Sequence, residues 1–522
     1  ASYPGTGGDC STTLAPAGTC TIVVTYNPSS NGTQSDSIEV NYNDGVAAQT
    51  ATRGVQGTAV SPATITISDG ATYNFGLRAT GSSTDKIFTV TNTGSFVASG
   101  LSGSGLASPF GFKGGSYPGT GGDCGTSLSA SASCTVVVTY TPSATGSHAD
   151  TLDMTFNNGA SSQTSSRDMQ GAGATPAALA ISDAVTYDFG TRAVGSNLDK
   201  IFTVTNNGAV TATAMSGAGL AAPFTFKGGT FPGSGGDCST TLAAAATCTF
   251  VVTYSPTAAG AHSDTIEISY NDGASAQTSS RPVQGTGATV ASLVLSDGPT
   301  YDYGSRASGS SVDKVFTVSN SGGFMASSMS GSGLSAPFTF KGGSYPGTGG
   351  DCASSLAPAG TCTVVITFAP TLGGVQADAI DINYSNGAST VSSSRAVTGT
   401  GVSPATLTVS DGPTYDFSTR ANGSTTDKIF TITNSGGTAA TSLVAGGLSA
   451  PYNFKGGSYP GTGGNCSTSL SAGANCTIVV SFSPVSSGTF NDTLDVNYDN
   501  GAGAQSTSRD VTGVGVTAAS LA

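Results

Sequence analysis

Ten cysteines carry the most ordered chemistry in the chain. They stand at Cys10 and Cys20, Cys124 and Cys134, Cys238 and Cys248, Cys352 and Cys362, and Cys466 and Cys476. The members of a pair are ten positions apart, and every pair lies 114 residues after the last. Two thiols flanking a segment such as Thr-Leu-Ala-Pro-Ala-Gly, which can fold back on itself, are placed to close a local disulfide, and that requires an oxidising compartment. The rival chemistry is metal binding, but a unit with two cysteines lacks the further His or Cys ligands that zinc requires. Five disulfides are therefore expected, each closing a short loop and worth roughly 3 kcal/mol in the chain-entropy model.

Other reactive residues argue against catalysis. The only two histidines, His148 and His262, share one position of the repeat, where the other copies place Gln34, Gln376 and Phe490. A general base does not tolerate that exchange. Asp150 with Asp153 recurs as Asp264 with Glu267 and Asp378 with Asp381. Three apart on a strand, such carboxylates point to opposite faces, which is poor geometry for shared acid/base work. The loop GGSYPGTGGDC, from Gly114 to Cys124, has the glycines of a phosphate cradle, but no Lys-Ser/Thr follows it and it leads into the cysteine loop instead of a helix. It reads as turn chemistry carrying an exposed aromatic. That aromatic recurs as Tyr3, Tyr117, Phe231, Tyr345 and Tyr459, a set of candidate contacts to a neighbouring domain, a subunit or a sugar. No catalytic residue, metal or cofactor is expected.

All eight lysines occupy two positions of the repeat, the Lys86 and Lys113 types, and all nine arginines occupy two others, the Arg53 and Arg78 types. Such economy predicts specific pairing of the Arg78 and Lys86 types with the Asp69 and Asp85 types, at ~0–1 kcal/mol for an exposed pair. A sharper alternative is an isopeptide bond between Lys86 and Asn92. Calcium at the junctions finds little support, since segments such as GTGATVAS carry almost no carboxylates.

The elements that position these residues are strands. In Cys134-Thr-Val-Val-Val-Thr-Tyr140 one face carries Cys134, Val136, Val138 and Tyr140, and the other carries Thr135, Val137 and Thr139. Leu152, Met154 and Phe156 alternate with Asp153 and Thr155, and Ile266, Ile268 and Tyr270 repeat the pattern. Seven or eight short strands per unit, punctuated by Gly, Pro, Asn-Gly and Asp-Gly turns, fit an all-β, antiparallel immunoglobulin-like sandwich. The 114-residue period divides the chain into a partial repeat at 1–59, full repeats at 60–173, 174–287, 288–401 and 402–515, and the start of a further repeat at 516–522. The partial unit lacks the counterpart of residues 60–115. Either the chain is a window of a longer array, or a neighbour completes that half sandwich by strand addition.

Composition sets the outer limits. In 522 residues only 9% are charged, the net charge is −13, and no basic run exists, which argues against a nucleic-acid partner. No apolar stretch approaches the ~18 residues of a membrane span, and the opening ASYPGTGG does not form a signal peptide.

The run F-T-V-T-N-x-G at Phe88–Gly94 and Phe202–Gly208, with C-T-I-V-V-T-Y-N-P at Cys20–Pro28, resembles the bacterial choice-of-anchor D repeats, relatives of the ASH-like immunoglobulin-type domains. The likeness covers nearly every unit end to end. It implies a secreted or surface-attached bacterial protein built as a long array. The expected function is mechanical: an extracellular stalk or filament subunit that meets copies of itself head to tail and laterally. At ~30–40 Å per sandwich it would reach on the order of 150–200 Å. The alternative is an adhesin whose repeated aromatic loops bind carbohydrate or a host surface, with avidity from repetition.

Overall fold

The computed structural model describes residues 2–519. The expected start of a further repeat at 516–522 lies partly outside them. Among the described residues there is no helix.

The partial unit contributes a single antiparallel hairpin, β1 (Gly32–Asn43) and β2 (Ala48–Ala59). The next unit is complete and shows the plan of all that follow. Its strands are β3 (Ile65–Ile67), β4 (Thr72–Ala79), β5 (Thr84–Asn92), β6 (Ala98–Ser104), β7 (Phe110–Phe112), β8 (Ser127–Leu128), β9 (Ser133–Tyr140), β10 (Gly146–Asn157) and β11 (Ser162–Ala174). One sheet has the order β3-β5-β9-β7 and the other β4-β11-β10-β6-β8. Every pairing is antiparallel except β4 with β11, which is parallel, with Thr72 opposite Asp168 and Ala79 opposite Ala174. The same two-sheet plan recurs three more times. In the second full unit the counterpart of β8 shrinks to one bridge, Ala212 with Leu242.

Each unit encloses a core of its own between its two sheets. The alternation read from the sequence is the packing pattern: Val136, Val138, Tyr140, Leu152, Met154 and Phe156 all face inward and are buried. Val137 departs from it. It points outward yet is buried; the loop after β7 continues along the same edge of β9, with the Val137 amide donating to the Pro118 carbonyl at 2.9 Å. Strand β9 is thus paired along both edges.

Among the described residues the partial unit has no partner sheet. Counterparts of core residues stand open: Val24, Tyr26 and Tyr42 are exposed where Val138, Tyr140 and Phe156 are buried.

Candidate functional site

The loop after β7 and the cysteine hairpin form one structure. Cys124 is bonded to Cys134, with Cα atoms 4.9 Å apart, and the other four pairs are bonded in the same way. Asp123, just before the bridge, accepts the Thr135 amide at 2.6 Å and the Thr135 hydroxyl at 2.7 Å. Those two bonds hold its carboxyl below the usual carboxylate range. The arrangement recurs at Asp9, Asp237 and Asp351, while the last unit uses Asn465 on Thr477. The loop lies flat because glycine stands where it presses on β9. Gly119 has φ +87°, and a Cβ on Gly122 would come within 2.8 Å of the Pro118 carbonyl oxygen and 2.9 Å of that of Thr135.

The loop aromatic is less exposed than the sequence suggests. Tyr117 is half-buried: its ring meets Phe112 edge to face at 5.7 Å, and its hydroxyl donates to the Gly125 carbonyl at 3.3 Å. Burial pushes its phenol up to about 12, and likewise that of Tyr345. Phe231, Tyr345 and Tyr459 pack in the same way on Phe226, Phe340 and Phe454. Gly103 makes room for Tyr117, since a Cβ there would come within 2.5 Å of the ring. Tyr3, without a counterpart of Phe112 in the described chain, is 57% exposed.

The charged residues pair more narrowly than expected. Lys86 meets Asp69 at 2.9 Å and Lys113 meets Asp85 at 2.7 Å, and both pairs repeat in all four full units. Lys86 also sits 4.7 Å from the centre of the Tyr73 ring, a cation–π contact. Asp69 reaches this position from φ +72°, a conformation Asp tolerates better than most residues.

The expected Arg78-type ion pairs do not form: among the described residues every ion pair is Lys with Asp. Arg306 and Arg420 instead donate to the backbone of Tyr303 and Phe417, three residues back. The isopeptide alternative fails as well, because Asn92 is fully committed. Buried completely, it accepts from the amides of Thr64 and Gly94 and donates to the carbonyls of Phe96 and Leu128.

His148 and His262 have structural partners. Their Nδ1 atoms lie 2.8 and 2.9 Å from the hydroxyls of Tyr140 and Tyr254. Tyr26 donates to Gln34 in the partial unit. Where the ring is Phe482, the partner is Phe490, packed against it at 6.2 Å. Asp150, rather than facing Asp153 across a cleft, accepts the Ala107 amide at 2.7 Å, while Asp153 accepts the Ser166 hydroxyl.

The remaining feature lies at the ends of the sandwiches. Ala79, Ala193 and Ala307 close β4 and its counterparts, and each is buried. What covers each is the β10–β11-type turn of the following unit: a Cβ on Gly273 would stand 3.0 Å from that of Ala79, on Gly387 2.6 Å from that of Ala193, and on Gly501 3.0 Å from that of Ala307. The residue beneath the turn is Val210, Phe324 or Thr438. Ala421, with no described unit beyond it, is only half-buried, and Phe96, with no such alanine before it, is 43% exposed.

The model of the HYDIN/CFA65/VesB-like Ig-like domain matches residues 181–286, a span inside one repeat. The repeat is Ig-like. The whole chain is a tandem array of Ig-like β-sandwiches at a 114-residue period. Among solved structures, it is similar to a protein of unknown function from Porphyromonas gingivalis W83, at 13% identity over 42% of this chain and 99% of that one, with a TM-score of 0.18. The VesB protease of Vibrio cholerae is 19% identical over 21% of this chain and 31% of its own, with a TM-score of 0.18. The ASH/PapD-like domain 7 of human CEP192 is 18% identical over 22% of this chain and 87% of its own, with a TM-score of 0.17. None of the curated proteins matches the chain. No helix is long and apolar enough to cross a membrane.

Proposed function

We propose that this chain is an extracellular spacer, part of a bacterial surface stalk or filament whose repeats are of the choice-of-anchor D kind and whose domains are bounded near residues 59, 173, 287, 401 and 515. The observation that carries the reading is the repeated junction. At three successive boundaries an alanine of one unit meets the same turn glycine of the next, so each step of the array repeats the last. A chain that adds one rigid sandwich per step gains reach in proportion to its repeat number. Five disulfides support a secreted location. Identical units that meet head to tail extend into an open filament when the rotation per step does not close a ring.

The geometry favours this reading over carbohydrate binding. In the four full units the loop aromatic packs on its own domain, with the phenylalanine before it covering part of the ring. The deciding experiment is negative-stain microscopy of the chain at rising concentration. Rods of constant width that lengthen end to end are the expected result. Discrete particles at every concentration would reject filament assembly, and globular outlines would reject the spacer itself.

A further inference from the structure

Among the described residues neither ordered set of arginines forms ion pairs, and the Arg53 type is the one whose bonds cross the sandwich. In the full units they are Arg167, Arg281, Arg395 and Arg509, all on β11 or its counterparts. Each sends its Nη2 across the sandwich to a backbone carbonyl of the first strand: Arg167 to Ile67, Arg281 to Ile181, Arg395 to Leu295 and Arg509 to Val409. Donor and acceptor are one hundred residues apart in every case. Arg167 is only 8% exposed, and the Nε atoms of Arg167, Arg281 and Arg395 are buried without a partner. Arg53, in the unit with no first strand in the chain, is exposed.

The topology says what this bond resists. The chain reaches a sandwich beside the β10–β11 turn, where the Ala63 amide donates to the Asn158 carbonyl. It leaves at Ala174, at the far end of a 13-residue strand, about 40 Å away at strand rise. Tension on the array therefore pulls β3 and β11 in opposite directions along their lengths. β3 holds β5 through only three residue pairs, Ile65 with Asn92, Thr66 with Thr91 and Ile67 with Val90. Beyond it, β4 runs parallel to β11 from Thr72 to Ala79, so its ladder is loaded in shear, with its bonds sharing the force. We infer that the Arg167-type guanidinium and the parallel β4–β11 ladder together form the load-bearing clamp of each domain, tying first strand to last against axial tension. This deepens the spacer reading and rests on it. A spacer that transmits force needs its termini locked to each other, and a charge-assisted bond to a buried carbonyl is the strongest single tie available there.

The test is force-clamp spectroscopy on the full oxidised chain, held by its ends. Each full domain should release in one step, and reduction should lengthen that step by about 30 Å, the slack of a ten-position separation between the bridged cysteines. In the single variant Arg281→Met, one of the four domains should unfold about tenfold to a hundredfold sooner than its neighbours, the loss expected for a hydrogen bond to a charged group. Tyr254→Phe, which removes the partly buried bond to His262 but keeps the ring against Gly285 and touches neither the guanidinium nor the parallel ladder, should leave dwell times within about twofold. Equal lifetimes for the two variants would overturn the clamp. If Arg281→Met does not fold, Arg281→Lys replaces the fork with a single donor and should still shorten one lifetime, and a lifetime equal to the other three domains would again overturn it. The measurement is made on single chains, so failure to form filaments leaves it untouched, and loss of the clamp leaves the spacer reading standing.

Discussion

At the residue scale the repeats run their own substitution experiments. Tyr140 with His148, Tyr254 with His262 and Tyr26 with Gln34 each join a strand like β9 to one like β10 through a phenolic hydroxyl, and Phe482 with Phe490 replaces the bond by ring contact. One unit is mismatched. Phe368 has no hydroxyl to offer Gln376, whose side-chain oxygen is buried without a partner while its nitrogen donates to Leu372. Phe368→Tyr should therefore stabilise that domain by about 1 kcal/mol, read as slower amide exchange across residues 361–402 with the other domains unchanged. The exchange of His for Gln and Phe was visible in the sequence and argued against a catalytic base at that position. The compensating change eight positions earlier was not, because strand alternation places Tyr140 in the core but does not say which side chain its hydroxyl meets. The arginines show the same limit: their regular spacing announced a partner, yet the partner is a backbone carbonyl, which no side-chain pattern can reveal.

At the scale of the element, alternation was enough to place strands such as β9 and β10 and the sandwich they build, whereas the first full unit has nine strands and not seven or eight, because β7 and β8 are too short to show a period. The path of the Gly-rich loop along the edge of β9 was not legible, because a period of two says which face a residue takes and not what pairs beside the strand. Tyr117, carried on that loop, is half-buried against Phe112. The hairpin also has a pH dependence set by Asp123. Its folded pKa is depressed by the Thr135 bonds, so the stabilisation is full above the ordinary value of 3.8 and is lost as the pH falls through the lower folded value. Between about pH 5 and about pH 2, the Thr135 amide should therefore lose protection relative to its intrinsic exchange rate. Thr21, Thr249 and Thr363, bonded to Asp9, Asp237 and Asp351, should follow it. Thr477, held by the neutral Asn465, should not change. Residue-resolved hydrogen exchange across that range reads all five in one sample.

At the scale of the molecule, the indel-free period set the length of the repeating unit but not how one unit meets the next. The junction depends on small residues brought together from separate units, Ala79 with Gly273, Ala193 with Gly387 and Ala307 with Gly501, and none of them belongs to the short connecting segments where a sequence reading looks for a hinge. Ala193→Arg should therefore bend or loosen the middle of the array while leaving each core intact, since the side chain enters a buried contact between domains and not a core. Small-angle X-ray scattering of the unmodified chain tests the central claim most directly, because it reads whether these sandwiches stand in single file. A single file at ~30–40 Å per domain predicts a radius of gyration of about 45–55 Å with a rod-like cross-section, whereas a radius near the ~24 Å of a compact chain of this length would contradict the account.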